Sequence, residues 1–149
     1  MIHQCGPDAV EGLREHAATL PAELVGRYRP IGFVGSELPD VFALADVVVS
    51  GSGAGTIAEL TALGKPAVLV PLATSAGGEQ AHNARELAEA GAVVALLGEV
   101  TADDLQDAVA PLLTGTASRD VMAERARERG RPDAADRLVD VVLAAARAS

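Results

Sequence analysis

The chain has 149 residues and a formal net charge of −9, with 49% hydrophobic residues, 2% aromatic, no Trp and a single cysteine, Cys5. That length predicts one domain, and that apolar share is enough for a buried core of Val, Leu, Ala and Ile, which excludes a disordered chain. Scarce aromatics and an acidic balance argue against nucleic acid, because single strands are bound on aromatic platforms and net negative charge repels any phosphate backbone.

One cysteine excludes a disulfide framework and a cysteine-rich metal site, and it fits a reducing cytoplasm. No apolar run has the length needed to span a bilayer, and the first residues carry no secretory pattern. The order of elements is then read along the chain. Met1, Ile2, His3 and Gln4 form the tail of a strand that exits through Cys5, Gly6 and Pro7. Helical spacing of Val10, Leu13 and Ala17 predicts a helix over 8–20 with Asp8 as N-cap. Residues 28–34 read as a strand interrupted by Pro30. A short helix follows from about Leu38, with Pro39 in its first turn and Val41, Leu44 and Ala45 turned inward.

Residues 46–50 are expected as the central strand, since Val47, Val48 and Val49 make a β-branched apolar run. Glycines at Gly51, Gly53 and Gly55 break that run, and Thr56 to Leu63 reads as a helix. Gly64, Lys65 and Pro66 end it, with glycine at the helix C-terminus and proline beyond. Residues 67–70 are the next strand, 73–78 a loop of small residues, 80–90 a helix closed by Gly91, and 92–97 a further strand. Thr101 is an N-cap before two first-turn acids, which predicts a helix to about Leu113. Two closing helices occupy 119–130 and 134–146, the second amphipathic through Leu138, Val141, Val142 and Ala145.

Alternating strands and helices predict a doubly wound parallel sheet, a Rossmann-like α/β fold. In such sheets ligands sit outside the carboxyl ends of the strands. The segments leaving those ends are 3–6, 51–56 and 72–83. The second of them joins a strand, a glycine-rich turn and a helix N-terminus. Glycine permits close approach, the first helical N–H groups have no internal partner, and the dipole favours negative charge, so a phosphate or diphosphate is the expected guest. A tight turn without a ligand has the same local pattern. Glu59, a turn further along, is placed to accept hydrogen bonds from a ribose. His3, His16 and His82 share no metal spacing. Cys5 has no basic neighbour to activate it and reads as a packing residue.

Several ordered stretches carry a family resemblance: Ala45-Asp46-Val47-Val48-Val49-Ser50, Gly53-Ala54-Gly55-Thr56-Ile57-Ala58-Glu59-Leu60, Gly64-Lys65-Pro66, Leu69-Val70-Pro71-Leu72, Gly78-Glu79-Gln80-Ala81-His82-Asn83-Ala84 and Gly91-Ala92. With His3-Gln4-Cys5-Gly6, and with Phe33-Val34 ahead of Glu37-Leu38-Pro39, the chain resembles the C-terminal half of MurG-like UDP-N-acetylglucosamine glycosyltransferases, the C-terminal domain of glycosyltransferase family 28. The resemblance spans nearly the whole chain. It implies the donor-binding half of a GT-B enzyme, with UDP-N-acetylglucosamine as donor, a lipid-linked acceptor in peptidoglycan synthesis and no cofactor or metal. By position, Phe33 and Val34 would flank the uracil, the Val34 backbone reading its edge, with Leu38 nearby. Gly53, Ala54, Gly55 and Thr56 would cradle the diphosphate, and Glu59 would hold the ribose. Glu79, Gln80 and Asn83 would bond the sugar, for which the amide side chains supply both donors and acceptors.

The family usually opens this half with another strand, glycine-rich loop and helix, preceded by an acceptor domain with the general base. Here the chain starts at Met1, so those parts are expected to be absent and the chain inactive alone. A second departure is Gly51, where the family commonly has Arg. The resemblance implies a cytoplasmic location with peripheral attachment to the inner membrane face as an option. Two other readings share these residues: the soluble subunit of a two-chain transferase, and a non-catalytic UDP-sugar-binding module. A UDP-sugar epimerase, also of GT-B fold, fits less well, because it should carry a second acid beside Glu59, where this chain has Leu60.

Overall fold

Parallel strands require long crossovers, and in this chain helices supply them. A computed structural model describes residues 1–147. Its elements are β1 (Ile2–Gln4), α1 (Val10–Ala18), α2 (Ala22–Val25), β2 (Arg29–Ile31), α3 (Leu38–Leu44), β3 (Val48–Ser50), α4 (Ala54–Leu63), β4 (Ala67–Leu69), α5 (Glu79–Glu89), β5 (Val94–Ala95), α6 (Ala102–Thr114), α7 (Thr116–Arg129) and α8 (Ala134–Arg147), with a 3-10 turn at Ala76–Gly78 before α5. They gather into two compact units, Met1–Leu44 and a second from Ala45 onward. Every strand pair is parallel, as the alternation of strands and helices predicts.

In the first unit β1 pairs with β2, with His3 opposite Pro30. The ladder uses the Arg29 N–H on the Met1 carbonyl and the Cys5 N–H on the Ile31 carbonyl, both at 2.9 Å. Pro30 falls between those bonded residues, where its missing N–H breaks nothing. The apolar core of this unit is small: Ala17 from α1 and Val34 beyond β2 are its buried hydrophobic side chains. Asp8 lies in the turn ahead of α1, and the N-cap position falls to Ala9 without a side-chain bond. The four-residue α2 carries no apolar periodicity and has no buried residue, so its sequence gave no helical signal. Leu44, expected inward, is 78% exposed.

The second unit is built on a three-stranded sheet of order β3-β4-β5. Its middle strand is β4, whose Ala67, Val68 and Leu69 are all completely buried. The expectation that 46–50 is the central strand is thus corrected: β3 is an edge of this sheet and its Val49 is half exposed. A β-branched run marks a strand, but only pairing on both sides makes it central.

Both crossover helices end as their glycines predict. Gly64, at φ 63° and ψ 46°, takes the left-handed conformation, its N–H reaching the Thr61 carbonyl while the Lys65 N–H reaches that of Leu60. Gly91, at φ 67°, ends α5 in the same way, with the Ala92 N–H on the Leu87 carbonyl. Each is a Schellman motif, which satisfies carbonyls that would otherwise lack partners. α7 lays Arg127 over Gly64 and Arg125 over Gly91, so closely that a Cβ at either glycine would strike the guanidinium arm. Thr101 caps α6 in a reciprocal box with Asp104: its hydroxyl accepts the Asp104 N–H at 3.2 Å, and the Asp104 carboxylate accepts the Thr101 N–H at 2.9 Å. The stripe of α8 at Leu138, Val141 and Val142 is exposed, although the spacing is amphipathic as expected.

Candidate functional site

The glycine stretch of the second unit leaves the carboxyl end of β3 and turns directly into α4. Gly53 is extended (φ −64°, ψ 150°) as the residue before the helix. The first N–H used by the helix is that of Ile57, which bonds the Gly53 carbonyl at 3.0 Å. The N–H groups of Ala54, Gly55 and Thr56 therefore point out of the N-terminus without a helical partner. Thr56 and Glu59 stand three residues apart, on one face of α4. Glu59 is exposed.

Ser52, between two of the glycines, holds this turn to α5. It is completely buried. Its hydroxyl donates to the Gln80 carbonyl at 2.7 Å, and its N–H donates to Gln80 Oε1 at 3.2 Å. Asn83 Nδ2 donates to the Ser52 carbonyl at 3.2 Å. Gln80 Oε1 also accepts the Leu72 N–H at 3.0 Å, which brings in the loop after β4. Two backbone N–H groups on one side-chain oxygen fix which way the amide points, since its NH2 end cannot accept. No buried side-chain nitrogen or oxygen among the described residues is left without a hydrogen bond.

A cavity of about 340 Å³ lies between α4 and α5. Ala54, Ile57, Ala58 and Thr61 line one wall, Glu79, Asn83, Glu86 and Leu87 another, and Arg129, Arg131 and Ala134 a third. It brings together Ala54, Glu79 and Asn83 of the expected site residues. At about 100° per residue, Gly55, Thr56 and Glu59 fall on the opposite flank of α4.

In the first unit, Phe33 is 76% exposed and Val34 is buried, with Leu38 partly buried at the start of α3. The Val34 N–H donates to Gln4 Oε1 at 2.8 Å. No described residue donates a hydrogen bond to the Val34 carbonyl. His3 stacks on Tyr28, its Nδ1 2.8 Å from the phenol oxygen. No group of acids, histidines and cysteine among the described residues has the geometry to hold a metal ion. No helix among them is long and apolar enough to cross a membrane.

Ser52 was not among the residues the sequence marked out. Its one visible signal is a serine between glycines at a strand exit, which local reading assigns to the turn itself.

The parallel α/β architecture, with a glycine turn feeding a helix N-terminus beside a second helix carrying amides, is that of the C-terminal domain of GT-B glycosyltransferases. The solved structures agree. MurG of Acinetobacter baumannii superposes with a TM-score of 0.81 at 27% identity over 95% of this chain and 42% of that one. The glycosyltransferase VinC gives a TM-score of 0.63 at 22% identity over 85% of this chain and 29% of that one, a likeness of fold alone. Residues 1–138 match the glycosyltransferase family 28 C-terminal domain, and the chain belongs to that family. A relative from Sorangium cellulosum, the UDP-N-acetylglucosamine–N-acetylmuramyl-(pentapeptide) pyrophosphoryl-undecaprenol N-acetylglucosamine transferase, is 38% identical over 149 residues, which is 99% of this chain and 36% of that protein. The enzyme of the same name from Phenylobacterium zucineum is 48% identical over 104 residues, 69% of this chain and 28% of its own length. The chain thus spans about a third of the length of the curated relatives it matches.

Proposed function

We propose that this chain is the donor-binding domain of a MurG-like transferase, binding UDP-N-acetylglucosamine for transfer to a lipid-linked acceptor in peptidoglycan synthesis. The observation that carries the reading is the start of α4: three outward N–H groups, a glycine turn that lets a ligand approach them, and Thr56 and Glu59 on one face beyond. Gly53, Ala54, Gly55 and Thr56 are assigned to the diphosphate. As UDP leaves, negative charge grows on the diphosphate, and fixed N–H donors stabilise it without reorganising. Glu59 is assigned to the ribose hydroxyls, and Glu79, Gln80 and Asn83 to the sugar. In the first unit Phe33, Val34 and Leu38 are assigned to uracil. The Val34 carbonyl is an acceptor, which suits the N3–H of uracil and rejects cytosine, whose N3 is itself an acceptor.

The general base and the lipid acceptor are assigned to an N-terminal half, fused or separate, with membrane attachment on its side of the enzyme. The reading is tested by thermal unfolding of this chain with UDP, CDP and ADP. A ligand that binds only the native state raises the melting temperature. UDP is expected to stabilise the chain clearly more than CDP or ADP at equal concentration. Equal shifts for the three would overturn the assignment of the base.

A further inference from the structure

Ser52 spends all of its hydrogen-bonding groups on the first turns of α5. The N–H goes to Gln80 Oε1, the hydroxyl to the Gln80 carbonyl, and the carbonyl receives Asn83 Nδ2. A completely buried serine with every group paired to one neighbouring element is a joint between two segments, here the glycine turn before α4 and the N-terminus of α5. Leu72 is drawn into the same joint through Gln80 Oε1.

The joint also decides what α5 can offer a ligand. Gln80 Oε1 already holds two N–H donors and Asn83 Nδ2 is spent on Ser52, while no described residue engages Gln80 Nε2 or Asn83 Oδ1. Nε2 lies beside Gly53, 4.0 Å from where a Cβ on that residue would stand. We infer that Ser52 is a positioning residue for the donor sugar: it locks the diphosphate turn to α5 and sets Gln80 Nε2 as a donor and Asn83 Oδ1 as an acceptor toward adjacent sugar hydroxyls. The inference rests on the proposed binding of UDP-N-acetylglucosamine and adds a residue outside the contact set.

Calorimetry with UDP and UDP-N-acetylglucosamine on the wild type and on Ser52→Ala tests it. Without the hydroxyl, the backbone of residue 52 loses its tie to the Gln80 carbonyl, so the N–H and carbonyl that orient the Gln80 and Asn83 amides are no longer held in place, and the affinity for the sugar nucleotide relative to UDP falls about tenfold, the worth of one to two hydrogen bonds. A serine that merely supports the fold would lower the melting temperature and leave that ratio unchanged, and an unchanged ratio in a folded variant overturns the inference. Amide hydrogen exchange on the unliganded wild type reads the joint directly, whether or not the variant folds. The Ser52 and Leu72 N–H groups are expected to be protected far beyond those of the neighbouring loop. Exchange at the free-loop rate overturns the inference by itself. A wild type that binds neither uridine ligand, with both amides protected, overturns the proposed function and the sugar-positioning role that depends on it.

Discussion

Two turns are assigned to the same nucleotide, and they are built differently. The turn after β3 is bound into its surroundings by buried Ser52 and by three bonds to α5. The helix that follows is fixed at its far end by Gly64 under Arg127 and by Gly130, whose Cβ position would stand only 2.7 Å from the Thr61 carbonyl oxygen. The turn after β2 has one side-chain tie, Val34 to Gln4 Oε1, with Phe33 open to solvent. Both use a glutamine oxygen as acceptor for loop N–H groups, but one sits in a core and the other in a unit with few buried apolar side chains. Diphosphate recognition by backbone N–H groups needs fixed geometry, because a main-chain donor cannot re-aim as a side chain can. Base recognition by an aromatic face and one carbonyl tolerates a looser mount.

The largest effect should come from breaking the brace. Gly130→Val puts a side chain into the Thr61 carbonyl and the Ala62 Cα, which are backbone atoms and cannot give way cheaply. Overpacking of this kind costs about 3 kcal/mol, or a melting temperature lower by about 6–12 °C in a chain of this size. Phe33→Ala, on the loose turn, should change the melting temperature of the unliganded chain little, since exposed substitutions stay within about 0.5 kcal/mol, while UDP binding weakens. If the two variants unfold alike, the contrast between the turns is wrong.

Glu59→Ala separates binding from stability inside the braced region. The Glu59 side chain is exposed and makes no hydrogen bond or ion pair within the described residues, so the unliganded melting temperature should hold. Charge-assisted bonds are worth about 1.5–3 kcal/mol, so UDP affinity should fall about tenfold or more by calorimetry. An unchanged affinity would take Glu59 out of the site.

The smallest effect lies away from both turns, at the cap of α6. Hydrogen bonds from the Thr101 side chain and backbone N–H hold the exposed Asp104 carboxyl below its ordinary pKa of 3.8. A group whose pKa is lowered by folding stabilises the fold above its unfolded pKa, and that contribution is lost as pH falls through the folded value. Thr101→Val should therefore lower the melting temperature at neutral pH, with the gap to wild type narrowing below about pH 3 to what the lost Asp104 N–H bond to the Thr101 hydroxyl contributes. A gap that stays constant from pH 7 to pH 2 would show that Asp104 is not part of the cap.

The features that were legible in the sequence are those whose cause is local. Gly64, Gly91 and Thr101 read correctly because a left-handed φ or a capping hydroxyl is a property of a few consecutive residues. Asp8 misled, since an acid after proline fits a cap as well as the turn it occupies. Val47, Val48 and Val49 suggested the middle of a sheet, yet which strand has neighbours on both sides depends on residues far along the chain, at β4 (Ala67–Leu69) and β5 (Val94–Ala95). Ser52 was invisible for the same reason: its partners are Gln80 and Asn83, and no local rule links them.

Gly51 carries a lesson of another kind, about the order in which changes can accumulate. A Cβ there would stand 3.2 Å from Gln80 Oε1, and its φ is outside the left-handed range, so the constraint is the neighbouring amide and not the backbone. Positions 51 and 80 are therefore not independent. A side chain at 51 displaces the oxygen that gathers the Ser52 and Leu72 N–H groups, unless that amide shifts by a few tenths of an ångström. An arginine at 51 would bring a cation toward the diphosphate turn and disturb the amide in one step. Its net value thus depends on what stands at 80, which is the condition under which single-site effects stop adding. The effect of Gly51→Arg on UDP affinity is expected to change when Gln80 is altered as well, which a double-mutant cycle measures.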